Sequence, residues 1–382
     1  MSKEKKLLHR FISLALVMAL MLVAMAGCAS KPASDNSQPS SGNSQGSQSA
    51  AETPAQEDDL EAALAEMKPM TMQFALSLGA GQPSVALLEE FADRIHERTN
   101  GVITINVYPS GVIVPPTNVY DSMLDGVVEM GCTDPSYYMS EFPLVNAYSL
   151  PGMNYKNSRA ATYAANEWIK SDFAELKKAK FLFAFGMCPS TFMTNVKFET
   201  LDDFKGTQIR GSGYALEIVE RFGAAPVGMP PSETYEAILK NTVDGALSAT
   251  DFLKNFNLGE VVDYCCGVTG LGTSTYFAAM NLDVWNSLPA PVQKVFEEES
   301  AVTLEQFAPL WDGMAQESIE FGISQGMEYY ELPQEELEKW WAQANPIVDE
   351  WLQEREQEGL DGQAALDRLR SLIEEGNKLY AD

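Results

Sequence analysis

Arginine is scarce in this chain, and one arginine stands where it could do chemistry. Beyond residue 28 there are eight. Arg94, Arg98, Arg355, Arg368 and Arg370 fall on polar faces of expected helices, and Arg159 and Arg221 fall in helices too. Arg210 differs. It ends an expected strand, Thr207 to Arg210, directly before Gly211-Ser212-Gly213 and a helix expected from Ser212 to Phe222. In α/β folds, ligands dock at that carboxyl end of a strand. A guanidinium there can grip a carboxylate through two parallel hydrogen bonds, and the helix N-terminus adds a favourable dipole. From position alone, a structural ion pair with one of the chain's many acids fits Arg210 equally well.

Catalytic patterns are sparse. The two histidines are His9, near the N-terminus, and His96, on an expected helix, which nearly excludes a His-based catalytic or metal site. There is no Walker loop, no Gly-x-Gly-x-x-Gly opening a helix and no Gly-x-Ser-x-Gly elbow. Carboxylate pairs are inevitable among 54 acids. Asp202-Asp203 reads as a solvated turn, and the acidic runs near the C-terminus as solvated helix faces. Cys132, Cys188, Cys265 and Cys266 show no zinc spacing. Cys132 and Cys188 could pair if their strands are neighbours, but small buried hydrophobes describes all four better. No cofactor and no metal are expected.

The first residues decide the compartment. Lys3, Lys5, Lys6 and Arg10 precede an apolar run, Phe11 to Met25, of signal-peptide length and short for a membrane span. Ala26-Gly27-Cys28 closes it as in a bacterial lipoprotein signal, although Met25 stands where Leu is usual. Cleavage of residues 1–27 would free the Cys28 amine and leave the thiol acylated. From Ala29 to about Gln56 the chain is Ser, Gln, Asn, Pro and Gly with almost no large apolar residue. Such a segment cannot offset its chain entropy by burial, so 28–68 reads as a disordered tether, with a short acidic helix at Glu57 to Ala65. The formal charge is −28. Residues 1–27 are net basic by three, so the remainder is more acidic still. Nucleic acid is excluded as a partner for want of a basic face, and an anionic membrane surface would repel the body.

The rest of the chain must position Arg210. Met72 to Leu78 reads as a strand, followed by a turn at Gly79 to Pro83. A helix capped by Ser84 then carries Val85, Leu88, Phe91, Ala92 and Ile95 on one face and ends at Asn100-Gly101. Strand Val102 to Tyr108, helix Pro116 to Asp125 and strand Val127 to Cys132 complete an α/β lobe with parallel pairing. A helix over Arg159 to Lys178 and a buried strand, Phe181 to Met187, follow. The second unit alternates Thr207 to Arg210, Ser212 to Phe222, strand Ala225 to Met229, a helix from Pro230 through Leu239 and strand Val243 to Leu247, with Thr275 to Met280 strand-like again. Pro291 to Ser324 has helical composition with a kink at Pro309. Met327 to Leu332 reads as a strand, and Glu335 to Glu358 and Gly362 to Tyr380 as acidic amphipathic helices. Two α/β lobes with a helical tail imply a ligand cleft between them.

At Arg210 the chain resembles a known family. Leu201-Asp202-Asp203-Phe204-Lys205-Gly206-Thr207-Gln208-Ile209-Arg210 resembles the signature of TRAP-type (tripartite ATP-independent periplasmic) solute-binding proteins of the DctP-like family. Phe222 to Val227, Ser232 to Ala237 and Val243-Asp244-Gly245 continue the match in order. Thr99-Asn100-Gly101 through Gly111, Leu124 to Met130 and Asn281 to Pro289 extend it, so that it runs from about Met72 to Ala342. The resemblance implies a two-lobe periplasmic-binding-protein-like fold with crossing strands and a long helix spanning the lobes. It places residues 69–187 plus about 275–313 in the first lobe and 188–274 plus about 314–382 in the second. It implies a small organic acid as ligand, with Arg210 on the carboxylate-binding arginine, Asp134 on an acidic contact, and Ser77 and Gln82 in the first ligand loop. Where some relatives carry a second arginine, this chain has Pro189-Ser190-Thr191. Where sialic-acid-type relatives carry Asn, it has Ser248. A monocarboxylate therefore fits better than a dicarboxylate or a sialic acid. The implied partners are the integral subunits of a TRAP permease and, through Cys28, the membrane on its extracytoplasmic face, with the receptor expected as a monomer without catalysis. A secreted carboxylate-processing α/β enzyme and a sensor presenting its ligand to a membrane kinase are the competing readings.

Overall fold

The computed structural model describes residues 54–381 apart from 269 and 312. The expected signal segment, Cys28 and most of the expected tether lie outside the described residues. The acidic helix expected at Glu57 to Ala65 is present and slightly longer: α1 spans Pro54–Glu66 and buries Leu64. The chain continues through β1 (Met70–Leu76), α2 (Pro83–Arg98), β2 (Ile103–Tyr108), α3 (Val119–Leu124), β3 (Met130–Thr133), α4 (Ser158–Trp168) and β4 (Ala179–Gly186). Next come β5 (Ser190–Thr194), β6 (Gln208–Gly211), α5 (Tyr214–Phe222), β7 (Ala225–Gly228), α6 (Pro231–Leu239), β8 (Gly245–Ala249), α7 (Phe252–Asn255) and β9 (Tyr264–Gly267). The remainder is β10 (Thr275–Asn281), α8 (Leu282–Ser287), α9 (Ala290–Leu310), α10 (Met314–Ser324), β11 (Glu328–Glu331), α11 (Gln334–Ala344), α12 (Pro346–Gln357) and α13 (Gly362–Leu379). Among the described residues, no helix is long and apolar enough to cross a membrane.

Two mixed sheets form two lobes. The first has the order β2-β1-β3-β10-β4 and the second β11-β9-β5-β8-β6-β7. In the first, β1 pairs parallel with β2 and β3, and β10 runs antiparallel between β3 and β4. In the second, β6 pairs parallel with β7 and β8. The chain crosses from the first sheet to the second between β4 and β5 and returns between β9 and β10. The crossings are tied side by side. The Met187 amide donates to the Ser274 carbonyl at 3.0 Å, and the Thr273 hydroxyl donates to the Met187 and Cys188 carbonyls at 3.2 and 2.9 Å.

Local sequence explains the helices that frame the cleft. The α2 face of Val85, Leu88, Phe91, Ala92 and Ile95 is buried as its spacing predicts. Its cap differs: Gln82 is the extended N-cap, Pro83 takes the first helical position where no N–H is needed, and Ser84 is buried inside the helix. The long helix is in two pieces. α9 packs on α2 and β4, α10 packs on α7, and the break after Leu310 follows Pro309, which cannot donate to the preceding turn. Trp311 is fully buried at the break. The single helix expected over Glu335 to Glu358 is also split, at Pro346.

The tail does not stay with the second lobe. α11 packs on α5, but α13 packs on α4 of the first lobe. Its apolar stripe of Ala365, Leu366, Leu369, Leu372 and Ile373 is buried, and a Cβ on Gly376 would come within 2.9 Å of the Ala160 carbonyl. The four described cysteines are free and buried, so Cys132 and Cys188 are not paired.

Candidate ligand-binding site

β6 presents Arg210 as its second-last residue, in the sheet interior next to β8, and the side chain is 2 % exposed. Its guanidinium is framed by the protein. Nε and Nη2 donate to the Met229 carbonyl at 3.0 and 2.7 Å, and Nη1 donates to the Ser248 hydroxyl at 2.6 Å. These bonds use three of its five N–H donors. The guanidinium carbon lies 5.9 Å from the centroid of the Phe252 ring. Among the described residues no carboxylate comes within 4.0 Å of it. The structural ion pair that the sequence left open is absent there.

The first lobe supplies the opposing wall. Asp134 directly follows β3 and caps the 3-10 turn Pro135–Tyr137, its Oδ1 accepting from the Ser136 amide at 2.7 Å. Both Asp134 and Arg210 thus stand at carboxyl ends of interior strands, one from each lobe. Burial lifts the Asp134 carboxyl to about 6, outweighing the Ser136 hydrogen bonds and the nearby positive charge of Arg210, which pull it down. Burial also holds the Tyr137 and Tyr276 phenols well above their ordinary range. The backbone permits the lobes to meet here. Gly213, between β6 and α5, has φ +52, and a Cβ on it would lie 2.8 Å from the Ser136 Cβ.

Between the walls runs a narrow cavity of about 30 Å³. Arg210, Asp134 and Ser248 all line it. Ser77, Gln82 and Thr191 do not. Ser77 donates its hydroxyl to the Cys132 carbonyl on β3 at 3.3 Å, and Gln82 Oε1 accepts from the Gly79 amide at 3.2 Å in the β1–α2 turn, its Nε2 buried with no partner among the described residues. Thr191 sits opposite Ser248 in the β5–β8 ladder, and its neighbour Ser190 lines the cavity instead. Sequence reasoning missed Tyr137, Tyr276, Phe252 and Met187. Tyr137 had a signal: it lies in the turn just after Asp134, at the carboxyl end of an interior strand. The cavity therefore offers one fixed cation, one buried acid and a wall of aromatic rings and hydroxyls.

Two α/β lobes, joined by paired crossings and facing each other across a buried cation, define the two-lobe binding fold of extracytoplasmic solute receptors. The sequence profile of bacterial extracellular solute-binding protein, family 7, matches residues 74–355, and the chain belongs to that family. It is 28 % identical over 233 residues to a monocarboxylate 2-oxoacid-binding periplasmic protein of a Nostoc species, covering 58 % of this chain and 64 % of that relative. A TRAP solute binding protein of Rhodoferax ferrireducens, solved with copurified benzoate, is 24 % identical. It superimposes with a TM-score of 0.75 over 81 % of this chain and 99 % of its own. A marine metagenome TRAP solute binding protein specific for aromatic acid ligands, in complex with metahydroxyphenylacetate, gives the same TM-score, identity and coverage.

Proposed function

We propose that this chain is a lipid-anchored extracytoplasmic receptor that captures a small monocarboxylate between its lobes and delivers it to a TRAP-type permease. The observation that carries the reading is Arg210: a guanidinium 2 % exposed, braced by Met229 and Ser248, with no carboxylate of the described residues within 4.0 Å. Desolvation makes such a cation a strong grip for a ligand carboxylate. One cation fits one carboxylate, and Tyr137, Tyr276 and Phe252 suit an apolar or aromatic body. The 2-oxoacid, benzoate and aromatic-acid relatives support that class. Arg210 and Asp134 are the proposed ligand contacts, and Ser248 acts by holding the guanidinium.

Equilibrium dialysis against benzoate, 3-hydroxybenzoate and pyruvate tests the reading. Saturable uptake with the acid recovered unchanged is expected of a receptor. Conversion of a bound acid to product would instead establish the enzymatic alternative. The anchor rests on the sequence at Ala26-Gly27-Cys28. Mass spectrometry of the mature protein should find Cys28 as an acylated N-terminus, and an unmodified Cys28 would remove the anchor from the account.

A further inference from the structure

The cavity lining contains two groups able to carry charge near neutral pH, Arg210 and Asp134. Tyr137 on the same 3-10 turn as Asp134, Tyr276 on β10 and Cys132 on β3 also face this region. Burial raises all three well above their ordinary values, so they stay neutral. Asp134 is 3 % exposed and holds one backbone N–H on Oδ1. Its charge is balanced across the cleft by Arg210, and among the described residues no carboxylate, Asp134 included, comes within 4.0 Å of that guanidinium. A ligand carboxylate seated on Arg210 removes that balance. Two carboxylates would then share one cation in a site cut off from water, and the pKa of one of them must rise strongly.

Resting on the monocarboxylate reading above, we propose that Asp134 takes up one proton from solvent, on Oδ2, when the ligand seats on Arg210, so that acid and proton are captured together. The loaded cavity then holds a cation, a carboxylate and a neutral acid, with no net charge left to desolvate. A carboxyl already lifted to about 6 is poised for this change. Among the described residues, Asp251 is the one other carboxyl near the cleft that burial lifts this far, to about 7, through loss of solvation. It precedes α7, faces Cys188 and Asn255, and does not line the cavity, so it serves as the control.

The test is calorimetric titration of the full chain with benzoate and with pyruvate at pH 7, in buffers of different ionisation enthalpy. The dependence of observed heat on buffer should give close to one proton taken up per ligand. The dissociation constant should weaken about tenfold per pH unit above neutrality. Asp134→Asn should abolish the uptake and flatten the pH dependence, and Asp251→Asn should leave both in place. Binding without uptake in the wild type overturns the proposal while leaving the carboxylate site standing, and needs no variant to fold. Uptake that survives Asp134→Asn, or that disappears in Asp251→Asn, overturns the assignment to Asp134. Absence of heat with both acids overturns the underlying function instead.

Discussion

Taking a guanidinium out of water costs several kcal/mol unless its donors are met. Arg210 meets that cost in part through Met229 and Ser248, and a seated carboxylate would meet the rest. The site also depends on a residue with no side chain. Gly213 adopts φ +52 where the second lobe touches Ser136 of the first. Gly213→Ala would add backbone strain of about 1–3 kcal/mol and press a methyl group onto Ser136, so the lobes should close less fully. We expect benzoate to shrink the radius of gyration of the wild type in solution scattering and to shrink the variant less. Full contraction of the variant at wild-type affinity would count against closure through this contact. Of the site residues, Arg210 was legible because arginine is scarce and its place at a strand end before a glycine-flanked turn is distinctive. Asp134 and Ser248 became visible only through the family resemblance. Tyr137, Tyr276 and Phe252 were hidden, since an aromatic residue in an apolar string reads the same whether it faces a core or a cavity.

At the scale of elements, periodicity and turn chemistry located most segments and erred where prolines and irregular turns intervene. The α2 face was legible because five apolar residues repeat at helical spacing. β3 starts at Met130 and not at Val127, because Gly126 turns with φ +72 and leaves Val127 65 % exposed. α4 stops at Trp168, and the last part of its expected length becomes the 3-10 turn Ala174–Lys178, whose Lys177 pairs back to Asp172. The break after Leu310 lies where the chain passes from packing on the first sheet to packing on α7, and the Cys188 thiol of one crossing donates to the Trp311 carbonyl there at 3.8 Å. Packing partners were the least legible feature. Nothing in the amphipathic pattern of α13 says that its apolar stripe meets α4 of the first lobe.

For the whole molecule, charge and function pull in opposite directions. A chain of formal charge −28 repels the anion it is proposed to bind. Screening limits that repulsion to roughly 8 Å at physiological salt. Inside the closed cleft the local balance governs, and there Arg210 faces a single acid that can be neutralised. The central claim is that one guanidinium holds the ligand carboxylate while contributing little to either core. Calorimetric titration of Arg210→Ala beside the wild type, with thermal melts of both, tests it most directly. Losing a desolvated charge-assisted pair should cost on the order of 3 kcal/mol, a weakening of about 150-fold. Arg210→Lys should recover only part of that, and the melts should stay close to wild type. Binding within a few-fold of wild type, or lost binding together with a collapsed melt, would contradict the account.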